Sequence, residues 1–350
     1  MTAPRVSIEL VPWNLRRAEM TTESVQLTDI REGLENHQVR IYFGAVVLGV
    51  IAALTLSGTT TLEIGINPAL AFMLFVTFLQ VPLAELRLAF SQFRFLGVLL
   101  LTNFAVIPVL VAILVQFLPP DPMVQLGVLL VLLAPCIDYV VTFSHLGRAD
   151  ARLLLAATPT LLIVQMLLLP IYLGLFLGPE AGALIKAGPF VHAFVWLIAV
   201  PLVLAVVVQC LAVRSKAGAR VSSILGLAPV PATALVLFVV VAAVVPQIGP
   251  ALDDTLRVMP IFVAYAIVAP LAGWGTSRLF RLDAPACRAV AFSAATRNSL
   301  VILPLAFAVP GAVPVLPAIV VTQTLIELVS ELAYIRLAPK FGRITAPSSI

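Results

Sequence analysis

Long runs of apolar residues, separated by short stretches that contain charged residues, Pro or Gly, recur along the chain after residue 40. A helix that crosses a bilayer needs about 20 consecutive apolar residues. The pattern predicts ten such segments, at residues 41–57, 67–85, 95–118, 123–145, 153–177, 189–213, 227–248, 258–280, 287–309 and 314–336. The predicted fold class is therefore an all-α polytopic membrane protein.

Composition supports this prediction. Of the 350 residues, 61% are hydrophobic and 11% are charged, whereas about a quarter of the residues of a soluble domain are charged. The long polar stretch, residues 1–40, is too short and too poor in core residues to fold alone, which excludes a separate soluble catalytic domain. The net charge of +4 comes from loop arginines and does not imply nucleic acid as a partner.

The distribution of cations predicts the orientation. Lys and Arg collect in cytoplasmic loops. All but three of the 21 lie in the N-terminal tail, after even-numbered segments or at the C-terminus. The exceptions are Lys186, Arg257 and Arg297, the last of which lies inside segment 9. We expect a multi-pass plasma-membrane protein with both termini in the cytoplasm.

Ten segments divide into two sets of five, and an odd number makes the second set begin on the opposite side of the bilayer. The predicted organisation is a cytoplasmic tail (1–40), a first repeat (41–177), a second, inverted repeat (189–336) and a C-terminal tail (337–350). The end of the N-terminal tail is expected to form a short interfacial helix, or to be disordered. Inverted repeats are typical of secondary transporters, whose sites lie at interrupted helices in matching positions of the two halves.

The fourth segment of each half fits such an interruption. Segment 4 contains Pro135, Cys136 and Asp138, and segment 9 contains Thr296, Arg297 and Asn298, followed by Ser299 and Pro304. Unwound backbone offers free N–H and C=O groups to a ligand within the membrane. We predict that these two segments are broken and cross each other.

Charged side chains inside the predicted segments are the sharpest chemical signal, because each costs about 2.5 to 3.5 kcal/mol at a helix centre on insertion scales. They are Asp138, Arg297, Glu327 and Glu331. Asp138 and Arg297 can form an ion pair, jointly hold a ligand and a proton, or merely fix the crossing. Glu327 is expected either to carry a proton or to make a packing hydrogen bond, and Glu331 is expected to reach the cytoplasmic interface.

Cys136 follows a proline inside a segment, where a thiol is either a small apolar filler or a soft ligand. The sequence contains none of the metalloprotease, serine hydrolase, phosphate-binding or dinucleotide-binding motifs. We therefore predict that the protein is not an enzyme and uses no cofactor, and that its partners are a small solute, protons and the lipid bilayer.

The run from Cys136 to Asp150, CIDYVVTFSHLGRAD, resembles the stretch C-I-A-M-V-x-V-W-N-x-L-A-x-G-D of the arsenite efflux permeases, which belong to the bile acid/sodium symporter superfamily. Three further motifs of that family have similar counterparts here: Asn103 with Pro108, the AAT-x-N sequence that ends at Asn298, and Glu327. The resemblance runs from about residue 35 to residue 336.

This resemblance implies a ten-span carrier that exports arsenite or a related metalloid in exchange for protons. Cys136 would bind the arsenic(III) of the transported solute, and Glu327 would cycle the proton. A single thiol suits a thiophilic solute that must also be released. The proposed solute-binding residues are Cys136, Thr296, Arg297 and Asn298, and Asp138 joins Glu327 in coupling or gating.

Departures from the family pattern leave alternatives open. Asp138 and Arg297 replace an alanine and an asparagine, so a small organic anion bound by Arg297, with Asp138 as its resting partner, is the alternative solute. Sodium coupling is disfavoured, because the polar ligands of the sodium-coupled branch are replaced here by Val140, Val141, Ser293 and Arg297, which leaves too few oxygen ligands for sodium. A receptor or enzyme built on the carrier scaffold is a third possibility.

Overall fold

The computed structural model describes residues 22–80, 92–182, 188, 192, 195–307 and 309–340. These residues form helices, and none of them belongs to a named β-strand. In chain order the helices are α1 (Thr22–Thr55), α2 (Thr59–Leu79), α3 (Phe93–Val115), α4 (Pro122–Leu132), α5 (Tyr139–Leu146), α6 (Ala151–Gly178), α7 (Val195–Arg214), α8 (Lys216–Leu225), α9 (Pro229–Ile248), α10 (Leu252–Leu279), α11 (Ala284–Ala295), α12 (Ser299–Phe307) and α13 (Val315–Leu337).

Eight helices in the described part of the chain are long and apolar enough to cross a membrane: α1, α2, α3, α6, α7, α9, α10 and α13. Large apolar side chains on their outer faces are exposed, as Ile64 at 84% and Val213 at 89% illustrate. Such faces are stable in hydrocarbon because helices satisfy their own backbone hydrogen bonds. The prediction of an all-α polytopic membrane protein is confirmed.

The two remaining apolar segments are interrupted, as the sequence predicted. α4 and α5 are separated by residues 133–138, here called the first break, and α11 and α12 by residues 296–298, the second break. Each segment starts similarly. Asp121 caps α4, accepting hydrogen bonds from the backbone N–H groups of Met123 (2.8 Å) and Val124 (3.1 Å), and Asp283 occupies the N-cap position of α11.

The N-terminal boundary differs from the prediction. Segment 1 was expected to start at residue 41, but α1 is continuous from Thr22, so the described end of the tail is part of the same helix. Arg31 and Glu35, one turn apart, form a 2.7 Å ion pair on this extension, and the sequence between Thr22 and Thr55 contains no proline to end the helix. Residues 1–21 and 341–350, most of the two predicted tails, lie outside the described residues.

Packing places α13 at the centre of the described structure. It contacts α4, α9, α10 and α12, and α9 in turn packs against α1 and α2. α10 and α11 approach closely at Gly273, where an added Cβ would lie 2.7 Å from Ala294 Cβ and 2.9 Å from Val290 O. This close contact fixes α11, and with it the second break, against α10.

Candidate functional site

The two breaks meet each other in an isolated antiparallel β-bridge. Pro135 pairs with Arg297. Two backbone hydrogen bonds flank this pair: the N–H of Cys136 donates to Thr296 O (3.1 Å), and the N–H of Asn298 donates to Ala134 O (2.8 Å). The backbone groups that each break frees from its helix are thus partly satisfied by the other break.

Each charged residue at the crossing lies at half-helix ends whose partial charge has the opposite sign. Helix N-termini carry partial positive charge and C-termini partial negative charge. Asp138 is the N-cap residue of α5, and its Oδ1 accepts a 2.6 Å hydrogen bond from the N–H of Tyr139. Arg297 lies at the C-terminal ends of α4 and α11, where its guanidinium contacts carbonyl oxygens of both.

Asp138 and Cys136 form a side-chain pair. The Cys136 thiol donates a 2.9 Å hydrogen bond to Oδ1 of Asp138. Oδ2 of Asp138 is buried and has no hydrogen-bond partner. An unpaired buried carboxylate oxygen is energetically unfavourable, so this oxygen is a candidate position for a proton or for a donor from a ligand.

A polar cavity of about 340 Å³ reaches Asp138. Its walls come from α1, α2, α5, α6 and α9. Arg152 and His145, at the edge of this cavity, are exposed, whereas Asp138 is only 7% exposed and marks the deep end. Further lining residues include Gln38, Tyr42, Tyr139, Thr142 and Thr233.

Tyr139 connects this cavity with Glu327. Its side chain lines the cavity, and its hydroxyl donates a 2.6 Å hydrogen bond to Oε1 of Glu327. The other carboxylate oxygen accepts hydrogen bonds from the backbone N–H of Arg297 and from Nε2 of Gln323, each at 2.6 Å. Glu327 therefore joins α13 to both broken segments through two of its three donors, and the third, Gln323, is on α13 itself.

The side chains of Asp138 and Arg297 do not hydrogen-bond to each other. In the described part of the chain the two are engaged with different groups, Asp138 with Cys136 and Tyr139, and Arg297 with carbonyl oxygens and the Asn103 amide. The antiparallel backbone pair at residue 297, rather than an ion pair, joins the two breaks in this structure.

The remaining predicted site residues lie close by but away from the cavity. Cys136, Thr296, Arg297 and Asn298 are at most 1% exposed, and none of them lines the cavity at Asp138. The side-chain amide of Asn298 has no hydrogen-bond partner for either its oxygen or its nitrogen.

The expectation that Glu331 reaches the interface is wrong. Glu331 is fully buried, and its Oε1 accepts a 2.5 Å hydrogen bond from the hydroxyl of Thr296. The α-helical spacing places Glu331 one turn after Glu327, on the same face of α13, and that face contacts the second break instead of extending towards solvent.

Two functional candidates were missed in the sequence. Tyr139 follows the intramembrane acid Asp138 directly, but nothing in the local pattern links its hydroxyl to a helix nearly two hundred residues later. Gln323 was detectable in principle, because it precedes Glu327 by four residues and so shares its helix face.

The helices define a multi-pass membrane protein in which two interrupted segments pair with each other and a polar cavity reaches one of them. Interrupted helices are typical of secondary transporters. Residues 67–249 match the family model described as the Sodium Bile acid symporter family, so the chain belongs to that family of membrane transporters. The match includes the first break and ends before the second. Comparison with curated proteins found no match.

Proposed function

We propose that this protein is a proton-coupled exporter of arsenite or a related metalloid, with a solute site at Asp138 and Cys136. The observation that carries the proposal is the 2.9 Å contact between the Cys136 thiol and Asp138, at the deep end of a polar cavity. Arsenite at neutral pH is an uncharged hydroxide with three hydroxyl donors. The unpartnered Oδ2 of Asp138 is a suitable acceptor for one of them.

Binding to the thiol would be a ligand exchange without oxidation or reduction. A sulfur–arsenic bond forms, one arsenic–hydroxide bond breaks, and the thiol proton leaves with that hydroxide as water. Oδ1 of Asp138, which already accepts the thiol hydrogen, is placed to pass this proton to the leaving group. Because Cys136 itself is buried, the solute would first contact Asp138 and then displace it from the sulfur.

Proton coupling is assigned to Glu327. Tyr139 lines the cavity and its hydroxyl donates to this carboxylate, so this residue connects the cavity wall with α13. Protonation of Glu327 would weaken its hold on the N–H of Arg297 and on Gln323. Thr296 and Asn298 would complete the solute site from the second break.

The ten-span inverted repeat is part of the same proposal. Eight long helices and two broken segments together make ten, the breaks fall in the fourth and ninth, and the breaks pair antiparallel to each other. The excess of cations after even-numbered segments supports cytoplasmic termini in the plasma membrane. On this topology the cavity at Arg31, His145 and Arg152 opens to the cytoplasm.

Labelling of single cysteines tests this topology. Lys216 and Arg257 are both exposed but are assigned to opposite sides. In a Cys210→Ser background, which removes the exposed native thiol, Lys216→Cys should react with an impermeant maleimide only from the cytoplasmic side of sealed vesicles. Arg257→Cys should react only from the other side, and equal access for the two would contradict the assignment.

Arsenite flux in proteoliposomes is the decisive measurement. Cys136→Ser should abolish arsenite transport while leaving thermal unfolding unchanged, since Ser keeps a donor for Asp138. Cys287→Ser is the matched control, because Cys287 is also buried and donates to a backbone carbonyl, that of Leu282, away from the crossing. Normal arsenite transport by Cys136→Ser would overturn the proposal.

A small organic anion is the second candidate solute, and Arg152 and His145 at the exposed edge of the cavity favour it. In that case Arg152 rather than the enclosed Arg297 would attract the anion. Arg152→Gln should then reduce carboxylate flux severalfold, whereas Cys136→Ser should leave it unchanged. The pair of variants separates the two solute classes.

A further inference from the structure

Arg297 is a fully buried cation whose two terminal guanidinium nitrogens donate to oxygen atoms, whereas its Nε has no hydrogen-bond partner. One of its terminal nitrogens shares its two N–H groups among Ser293 O (2.5 Å), Ala294 O (2.8 Å) and Asn103 Oδ1 (2.9 Å). The other terminal nitrogen donates to Leu132 O at 3.4 Å. Four oxygens from three segments of the chain therefore converge on one positive charge.

Three of these oxygens belong to half-helix ends. Ser293 and Ala294 lie in the last turn of α11, and Leu132 is the last residue of α4. The last carbonyls of a helix have no partner within it and carry the negative end of the helix dipole. The ring of Tyr265, 5.7 Å from the guanidinium carbon, adds its negative face to the same environment.

No carboxylate contacts the guanidinium among the described residues. Glu327 contacts the backbone of Arg297: its carboxylate accepts a hydrogen bond from the Arg297 N–H and not from the guanidinium. The groups that accept hydrogen bonds from the guanidinium are therefore neutral carbonyl and amide oxygens, three of them at helix C-termini.

Neutral oxygens at half-helix C-termini are also the ligands with which membrane transporters hold small monovalent cations. The name of the family includes sodium, but here a free sodium ion does not fit among these four oxygens, because the guanidinium already fills the space between them.

We propose that Arg297 is a built-in cation, which permanently occupies an oxygen-lined cation site and ties the C-terminal ends of α4 and α11 together. The protein therefore needs neither Na⁺ nor K⁺ to assemble its crossing. This role replaces solute binding for Arg297, and it holds whichever solute the cavity at Asp138 accepts.

Thermal unfolding of the purified protein in detergent tests the proposal without any transport measurement. Wild-type protein should unfold at the same temperature in NaCl, KCl and choline chloride of equal ionic strength. Arg297→Ala should unfold several degrees lower in choline chloride and recover part of that loss in NaCl or KCl, or with millimolar methylguanidinium, because the freed oxygens accept an added cation. Arg297→Lys, which keeps the charge, should fold and be insensitive to the choice of cation.

Arg288→Ala is the matched control. Arg288 also lies on α11 and donates to a carbonyl, Arg148 O at 2.8 Å, but it is partly exposed, so its loss should produce no cation-selective effect. Selective stabilisation of wild-type protein by Na⁺ or K⁺ would overturn the proposal. So would an Arg297→Ala protein that unfolds alike in all salts and is not rescued by methylguanidinium. If neither variant folds, the shape rather than the charge of Arg297 is required, and the proposal is again overturned.

Discussion

The hydroxyl of Tyr139 donates a 2.6 Å hydrogen bond to Oε1 of Glu327, although 188 positions separate the two residues in the chain. The tyrosine lines the polar cavity, and the glutamate belongs to the central helix α13. One residue thereby connects the cavity wall with the buried carboxylate of Glu327.

Tyr139→Phe tests this link. The substitution keeps the ring and its edge-to-face contact with Phe143 but removes one of three donors to Glu327. A hydrogen bond to a charged group contributes about 1.5 to 3 kcal/mol, so we expect proton-driven exchange in proteoliposomes to slow about tenfold or more. Tyr172→Phe, which removes a hydroxyl bonded to Phe104 O elsewhere, should leave the rate unchanged. Equal effects of the two variants would refute a specific role for Tyr139.

Glu327→Gln and Glu331→Gln should behave differently, although both acids are buried on one face of α13. Glu327 is connected to the cavity through Tyr139, whereas Glu331 bonds to Thr296. We expect Glu327→Gln to remove the response of solute flux to an imposed pH gradient, and Glu331→Gln to retain it. The measurement is solute flux at several pH gradients. Loss of the gradient response in Glu331→Gln would contradict the assignment of the transported proton to Glu327.

Asp138→Asn separates the charge of this residue from its capping role. Asn caps helices about as well as Asp, so the unfolding temperature should stay nearly constant while solute affinity falls at least tenfold. Asp138→Ala should also lose about 1 kcal/mol of stability with the cap. Asp121→Asn changes the cap of α4, outside the cavity, and should affect neither property. Unchanged solute binding in Asp138→Asn, measured by isothermal titration, would exclude the carboxylate from the site.

Two glycines on α10 should respond to alanine with opposite signs. At Gly273 the new Cβ would collide with Ala294 and Val290, and such overpacking typically destabilises by about 1 to 3 kcal/mol. Nothing lies within 4 Å of a Cβ at Gly275, where alanine favours the helix by up to about 1 kcal/mol. Thermal unfolding should therefore shift down for Gly273→Ala and slightly up for Gly275→Ala. A downward shift of the same size for both would mean that close packing on α11 is not the cause.

Sequence reasoning found the apolar segments and both breaks because each leaves a local signal. Bilayer-length apolar runs define the long helices, and Pro135 and the polar run at Thr296 to Asn298 mark positions where a lipid-facing helix is unfavourable. The start of α1 was misplaced because the polar residues before position 41 are helical too, a property that hydropathy does not measure.

The partners of the buried charges were beyond prediction from the sequence. Residue type placed Asp138 and Arg297 at the breaks, but the direction of each side chain depends on the polarity of the half-helix ends around it. The carbonyl oxygens that accept hydrogen bonds from Arg297 are backbone atoms, which every residue type has, so the sequence does not indicate them. Glu331 was misassigned for a related reason, because its depth depends on what α13 packs against.

The pairing of Pro135 with Arg297 also restricts how the molecule can move. Sliding one broken segment past the other would break the two flanking backbone hydrogen bonds and strip the guanidinium of its carbonyl partners at once. We therefore expect the two crossed segments to shift together. Thr142 of α5 and Gln38 of α1, which both line the cavity, are joined by a 2.9 Å hydrogen bond, and we expect solute to enter where these two helices separate.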